Sequence, residues 1–444
     1  MLDINNLRND QNAREKLIKR APDAPIDQII KLDEQLKKDK QKNETLRSQR
    51  NVASDQIATL MKTDKSKAQE MIIQMKHLGT QIESGDKKIA KREMQLAGIL
   101  SSLPNIPYDG VVFGGKEANK IVTTYGEKPK FNFTPKDHVT LCAELGLIDY
   151  ERGTRMSGSG HWVYTGNGAL LEWALLNYFV DFHMKNKYKF IMPPHILNYE
   201  SGYAAGQFPR FMDDIFFVRA ERGKGGAKFD PKTSKFLAPT SETALINMHR
   251  GETLQSENLP IKYFGYSPCY RGEPGGYGAS ERGTIRGHQF NKIEMFIFCN
   301  PWESGDMFNE LVHNAEELIK GLGLHFTTVA LAAGDMSSAM AKTYDTEVWL
   351  PSLSEYKEVS SISNATCFQA RRANVRAKTT THECTDGVCK KVNKTEFAHT
   401  LNASGLATSR LIPAIVEQFQ NEDGSVNVPE VLHKYMHGIT KLTK

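Results

Sequence analysis

Between residues 26 and 100 the chain has no proline, and glycine only at 79, 85 and 98. So long a stretch almost without breakers restricts the segment to extended helix. Ile29, Leu32, Leu36, Leu46, Ala53, Ile57 and Leu60 fall on an alternating three-four spacing, with Asp39, Asn43 and Arg50 interrupting the seam. A second seam runs through Met71, Met75, Leu78, Ile82, Ile89, Leu96 and Ile99, and the polar "KTDKSK" lies between the two. The pattern predicts an antiparallel coiled-coil hairpin. A helix from about 27 to 62 is on the order of 50 Å long at about 1.5 Å per residue. Such a hairpin is too long to lie wholly on one globular domain and is expected to project.

The charge balance is uneven along the chain. Across 444 residues, 57 Lys/Arg exceed 52 Asp/Glu by 5, and residues 1–100 alone hold 20 Lys/Arg against 15 Asp/Glu. The whole basic excess therefore sits in the helical segment. Lysine and arginine on a projecting rod suit an elongated polyanion, whose counterions they displace. A solvated helical face, or dimerisation through the coil, accounts for the same pattern, and spacing does not choose among them. No apolar run reaches the roughly 18 residues that span a bilayer, so no membrane partner is expected. No secretory signal is visible from Asp3 onward, and six cysteines are too sparse for a disulfide scaffold. The cytoplasm is the expected compartment.

"SSLPNIPYDGVVFGG" (101–115) ends the helical texture with two prolines and three glycines. It marks a boundary between a helical arm, 1–103, and a second domain, 104–444. In the second part, "GALLEWALLNYFVDFHMK" (168–185) reads as a buried helix and "PWESGDMFNELVHNAEELIKGLG" (301–323) as a helix stopped by glycine. "KFIMPPHIL", "IKYFGYSPCYR", "HQFNKIEMFIF", "FTTVALA" and "EYKEVSSIS" read as strands. Pro193 and Pro194 suit an edge or an interface. The strands lack regular βαβ spacing, so the expected class is α+β, a mainly antiparallel sheet flanked by helices.

Four constellations in this part could carry chemistry. In "PCYRGEPGGYGASERGTIRGHQFNKIEMFIF" (268–298), Arg271 and Glu273 share one strand face, and Phe290, Lys292 and Glu294 share a face of the returning strand. A guanidinium suits a carboxylate or phosphate, and a ring suits a stacked base. A surface hairpin with salt bridges explains the charges but not a ring among them. "LAPTSETAL" (237–245) sets Thr240, Ser241 and Glu242 before an apolar run, most simply as a helix N-cap. "EYKEVSSISNATCFQARR" (355–372) offers Glu358, Ser360 and Ser361 as oxygen donors for magnesium. Alternation pairs Glu358 with Ser360, so shared ligation by Glu358 and Ser361 requires a bulge. "HTLNASGLATSRLIPAIVEQFQ" (399–420) is expected to turn at Ser404-Gly405 into an amphipathic helix, with Arg410 near its start.

These segments together resemble the seryl-tRNA synthetases, over essentially the whole chain. The family's R-x-E, glycine-rich loop and R-x-H-Q-F-x-K-x-E series is matched by Arg271, Glu273, Arg286, His288, Gln289, Phe290, Lys292 and Glu294. Its T-x-E element is matched by Thr240 and Glu242, and its EVSS…FQARR and HTLN-x-SGLA-x-x-R segments by 358–372 and 399–410.

The resemblance implies a class II synthetase catalytic domain behind a coiled-coil arm that binds tRNA. The activity it implies is formation of seryl-adenylate from L-serine and ATP with release of diphosphate, then transfer of serine to tRNA(Ser). Selenocysteine tRNA is left open as a second acceptor. It implies catalytic roles for Arg271, Glu294 and Arg410. ATP would be bound by Arg271, Gly272, Glu273, Phe290, Glu358, Val359, Ser360, Ser361 and Arg410. Serine would be bound by Thr240, Ser241, Glu242, Arg271, Glu294, Asn402 and Ser404, and Mg2+ by Glu358 and Ser361. A homodimer is implied, with Pro193-Pro194 near its interface, as is an acceptor-end contact through the loop after Arg271.

The sequence departs from the family's commonest pattern at Gly272 and Pro274, and at Ala279 and Ser280 in the loop. Residues 219–235 read as a lengthened hairpin tip. "HECTDGVC" (382–389) has spacing better suited to a plain loop than to zinc. A regulatory paralogue would have no use for every adenylate-forming group, and an aminoacyl transferase to a carrier protein would have little use for the arm.

Overall fold

Two compact units divide the chain, Leu2–Pro104 and Asn105–Lys444 together with Met1. The computed structural model describes residues 1–218, 230–273, 281–385 and 388–444, and side chains outside 381–392. The tip at 219–229 and the loop at 274–280, which holds Pro274, Ala279 and Ser280, lie outside the described residues. No helix among the described residues is long and apolar enough to cross a membrane.

The first unit is helical: α1 (Ile4–Asn9), α2 (Gln11–Arg20), α3 (Ile26–Thr63) and α4 (Lys65–Ser102). The expected polar turn shrinks to one residue. Asp64 closes α3 and caps α4, its Oδ1 accepting from the Lys67 N–H at 3.2 Å. Lys40 pairs with Glu93 at 2.6 Å and Arg47 with Asp86 at 2.8 Å, the reversed order of an antiparallel hairpin. The apolar seam buries Ile29, Leu36, Ile82, Leu96 and Leu100.

Two polar residues are buried in the seam as well, Asp33 and Asn43. Asp33 is ion-paired with Arg8 of α1 and with Lys37. Asn43 donates to Asp86 Oδ1 at 2.7 Å and fills the space over Gly85, where a Cβ would lie 2.4 Å from Asn43 Oδ1. Rather than interrupting the seam, Asn43 penalises slipped registers, as one buried polar residue does in a coiled coil.

The second unit is built on an eight-stranded sheet. Its strands are β1 (Lys120–Tyr125), β2 (Lys189–Ile191), β3 (Ile261–Tyr270), β4 (Gln289–Cys299), β5 (Phe326–Ala330), β6 (Lys342–Leu350), β7 (Glu355–Thr366) and β8 (His399–Ala407). Across the sheet the order is β1-β5-β6-β7-β8-β4-β3-β2. Every neighbouring pair is antiparallel except β2 with β3. Pro193 and Pro194 interrupt the strand expected at 189–197. The edge strand β2 ends at Ile191, and Ile196–Leu197 belongs to a separate three-stranded sheet.

Alternation then divides the sheet's two faces. Ile293, Met295 and Ile297 of β4 and Leu401 and Ala403 of β8 join a core with α5 (Gly166–Lys185), α6 (Ser304–Gly321) and α7 (Thr408–Gln418). On the opposite face, Phe296 and Phe298 pack in a smaller cluster with Leu245, Ile246 and Val375. Farther along β4 the same face carries Glu294, Lys292 and Phe290.

The turn expected at Ser404-Gly405 does not form. β8 runs on to Ala407, with a register shift between the Glu294–Ser404 and Lys292–Ala407 pairs. Gly405 serves a close approach instead: a Cβ there would lie 2.4 Å from His183 Nε2. The segment 382–389 is no plain loop either. It is the end of a hairpin of strands Arg376–Thr385 and Val388–Phe397, where Cys384 and Cys389 are register partners. Their side chains lie outside the described residues.

Candidate active site

β3 ends at Tyr270, so Arg271 and Glu273 stand just past the strand rather than within it. Pairing continues beyond it, since the Arg271 N–H donates to the His288 carbonyl at 3.0 Å. Phe290 is opposite Cys269, Lys292 opposite Ser267 and Glu294 opposite Gly265. This register places Arg271 on the face that carries Phe290, Lys292 and Glu294, and its guanidinium carbon is 5.3 Å from the Phe290 ring centroid. Glu273 has φ +45°. That left-handed turn ends the alternation, and the Glu273 carboxylate accepts from Arg286 Nε at 2.6 Å.

Two adjoining cavities open over this face. The larger, about 320 Å³, is lined by Thr240, Glu242, Arg271, Lys292, Glu294, Glu358, Ser361, Asn402 and Ser404, among others. The smaller, about 70 Å³, is lined by Arg271, Glu273, Phe290, Lys292, Glu358, Val359, Ser404 and Arg410, among others. Arg271, Lys292, Glu358 and Ser404 border both.

Polar side chains make up much of the larger cavity's lining. Ser241 makes no helix cap, and its hydroxyl pairs with Ser267 at 2.7 Å. Glu242 is buried and accepts from Gln369 Nε2 at 2.5 Å. Its burial first, and then the nearby charge of Glu294, push the Glu242 carboxyl up to about 7, against the pull of Gln369, Lys292 and Arg271. Glu294 is 1% exposed, with Lys292 Nζ at 2.6 Å and Asn402 Nδ2 donating at 3.2 Å. The arrangement sets two buried carboxyls and one buried ammonium against the cavity, which suits a small zwitterion with further donors.

β7 carries the bulge that shared use of Glu358 and Ser361 requires. Thr346 pairs with Ser360 but Glu347 pairs with Glu358, so Val359 is the extra residue. Beyond the bulge, Glu358 and Ser361 border the same cavity. Asp345 is the register partner of Ser361 and is buried, with Oδ1 lacking a hydrogen-bond partner. Burial, and then the charge of Glu358, hold its carboxyl well above the usual carboxylate range.

Arg410 joins the site from the first turn of α7. Its Nη1 donates to the Glu358 carbonyl at 2.7 Å and its Nε to the Ile285 carbonyl at 3.1 Å. Pro413, inside α7, has no N–H for the Ser409 carbonyl one turn earlier. The buried Thr284 hydroxyl donates to that carbonyl at 2.6 Å, so the proline binds the loop before β4 to the helix that carries Arg410.

Three expected site residues line neither cavity. Ser241 is turned to Ser267; Ser360 donates to the Ser404 carbonyl at 2.6 Å; the Gly272 N–H donates to the Asp214 carbonyl at 2.8 Å. One residue that borders both cavities, Lys292, was absent from the expected site. Alternation between Phe290 and Glu294 was the signal that could have placed it there.

Residues 1–107 match the family model described as the seryl-tRNA synthetase N-terminal domain, and residues 227–419 match the tRNA synthetase class II core domain (G, H, P, S and T). Over 438 residues the chain is 49% identical to serine–tRNA ligase 2 of Clostridium acetobutylicum, covering 98% of this chain and 99% of that one. The chain belongs to the seryl-tRNA synthetase family. A serine–tRNA ligase of Geobacter sulfurreducens is 39% identical across the full length of both chains. The crystal structure of seryl-tRNA synthetase from Pyrococcus horikoshii complexed with ATP superposes with a TM-score of 0.87 at 30% identity, covering 100% of this chain and 99% of that one. Membership in the seryl-tRNA synthetase family carries the activity: the enzyme uses ATP to join serine to tRNA.

Proposed function

We propose that the two cavities divide the substrates of serine–tRNA ligation, the larger taking serine and the smaller the nucleotide. The observation that carries this reading is Arg271, which borders both and lies beside Phe290. Adenine stacks on Phe290 with Arg410 across the slot, and Glu273 accepts from the adenine amine, exchanging its present Arg286 partner. The serine ammonium lies between Glu242 and Glu294, with Thr240, Asn402 and Ser404 around the substrate. A pocket so furnished disfavours alanine, whose methyl would leave these buried polar groups unpaired.

In the first step a serine carboxylate oxygen attacks the α-phosphorus and diphosphate leaves. Arg271 stabilises charge on the α-phosphate and orients the serine carboxylate. In the second step the terminal ribose hydroxyl of tRNA attacks the serine carbonyl and AMP leaves. No side chain forms a covalent intermediate, so positioning and cation stabilisation supply the rate.

Glu358 and Ser361 would hold Mg2+, with Asp345 behind them. The buried Asp345 Oδ1, which has no hydrogen-bond partner beside Ser361 and Glu358, fits an acceptor for a cation or for the water that a cation would hold. Among the described residues no group of three or more His, Cys, Asp or Glu side chains is arranged to hold a metal alone. Phosphate oxygens would therefore complete the coordination, as is usual for magnesium at nucleotide sites. When bound, the ion neutralises phosphate charge.

The basic coiled-coil arm, 1–103, clasps tRNA(Ser), and the loop after Arg271 approaches the acceptor end. The catalytic domain spans 104–444. A cytoplasmic homodimer formed along the edge that exposes Phe190 and Met192 completes the reading. Deleting 27–98 tests it: serine-dependent pyrophosphate exchange survives while tRNA charging is lost. Charging that survived the deletion would remove the arm from the account.

A further inference from the structure

Behind the nucleotide cavity, on the helical side of the sheet, one carboxyl joins the two elements that form the slot. Glu172 projects from α5 among Leu171 and Leu175 and is 4% exposed. Its Oε1 accepts from Asn291 Nδ2 at 2.7 Å and from the Thr408 hydroxyl at 2.6 Å. Asn291 is the neighbour of Phe290, facing the opposite side of β4. Thr408 is the first residue of α7, two before Arg410. The Thr408 hydroxyl also lies 3.1 Å from the Asn291 carbonyl, and Tyr266 donates to Asn291 Oδ1 at 3.1 Å.

We propose that Glu172 is a positioning residue for the ATP-dependent step, setting the separation between the strand that carries Phe290 and the helix that carries Arg410. The inference rests on the nucleotide reading of the smaller cavity. Asn291 and Thr408 both donate to one oxygen of this carboxyl, and its Oε2 is buried without a hydrogen-bond partner. An apolar side chain would pack against α5's neighbours at less cost than a buried acid. The acid is kept tolerable because burial pushes it up to about 7, against the two donors and Tyr164. A neutral carboxyl still offers Oε1 to both donors, so the clamp holds on either side of neutrality. Glu172 touches no substrate. It acts through Asn291 and Thr408, and a change in its length shifts the ring and the guanidinium relative to each other.

The test uses the full-length enzyme and serine-dependent pyrophosphate exchange, with ATP and serine KM measured separately. Glu172→Ala is expected to raise the ATP KM roughly tenfold or more, the range for losing two bonds to a buried acceptor, and to leave the serine KM within about twofold. Glu172→Gln keeps an oxygen for both donors and is expected to restore the ATP KM to within about threefold of wild type. Should Glu172→Ala fail to fold, Asn291→Ala and Thr408→Val cut the same clamp from its other ends and are expected to raise the ATP KM selectively. Phe290→Leu is the control. An impaired Phe290→Leu beside a normal ATP KM in the clamp variants overturns the role of Glu172 and leaves the slot intact. ATP and serine KM rising together overturn it as well, since that marks a general loss of structure. A normal ATP KM in Phe290→Leu itself removes the nucleotide reading on which the inference stands.

Discussion

The guanidinium carbon of Arg271 stands 5.3 Å from the centre of the Phe290 ring, although the two residues are separated by a glycine-rich loop. The β3–β4 register makes this contact, because Phe290 pairs with Cys269 and Arg271 follows two residues on along the same face. One cation thus borders both cavities, the position that the proposed joining of a serine carboxylate to an α-phosphate requires.

Loss of the ring should weaken nucleotide binding alone. Stacking of a base on an aromatic side chain is worth about 1–3 kcal/mol. Phe290→Leu is therefore expected to raise the ATP KM roughly five- to hundredfold with the serine KM nearly unchanged. A matching rise in the serine KM would place Phe290 outside the adenine slot.

Serine binding should depend on pH through Glu242. Burial and the charge of Glu294 raise this carboxyl to about 7, so it is protonated below that pH and ionised above it. In the proposed site serine's ammonium requires the carboxylate, and binding at acid pH must first displace a proton. The serine KM is expected to fall by up to roughly tenfold per unit as pH rises toward 7, then level off. Glu242→Gln removes the slope and leaves a weak, flat profile. A wild-type profile already flat from pH 5.5 to about 7 would contradict the assignment.

The Thr284–Ser409 bond offers a stability test. Thr284→Val leaves the Ser409 carbonyl buried and unpaired, at a cost of about 1–3 kcal/mol, read from the chemical unfolding midpoint. Adding Pro413→Ala supplies an N–H for that carbonyl. The double variant is expected to be more stable than Thr284→Val alone. Strictly additive losses would mean that the two sites are independent.

Much of this was legible in the sequence because it depends on local periodicity. The heptad seams and the shared face of Phe290, Lys292 and Glu294 follow from spacing of 3.5 or 2. Long-range contacts were not legible. Gly405 carried a turn's composition, yet its role is to admit His183, which is 222 residues away in the chain. Ser241 had the place of a cap and was taken by Ser267. Glu172 was one acid in an apolar helix, and nothing near it in sequence names Asn291 or Thr408. Asn43 looked like a break in the seam until Gly85 was seen across from it.

Arg271 bears the whole account, and its removal is the most direct test. Serine-dependent pyrophosphate exchange by Arg271→Ala, with both substrates at saturation, is predicted to fall by roughly 10²–10³-fold or more, as for loss of a donor to developing charge. Exchange persisting within about tenfold of wild type would contradict the claim that this guanidinium spans the two substrates.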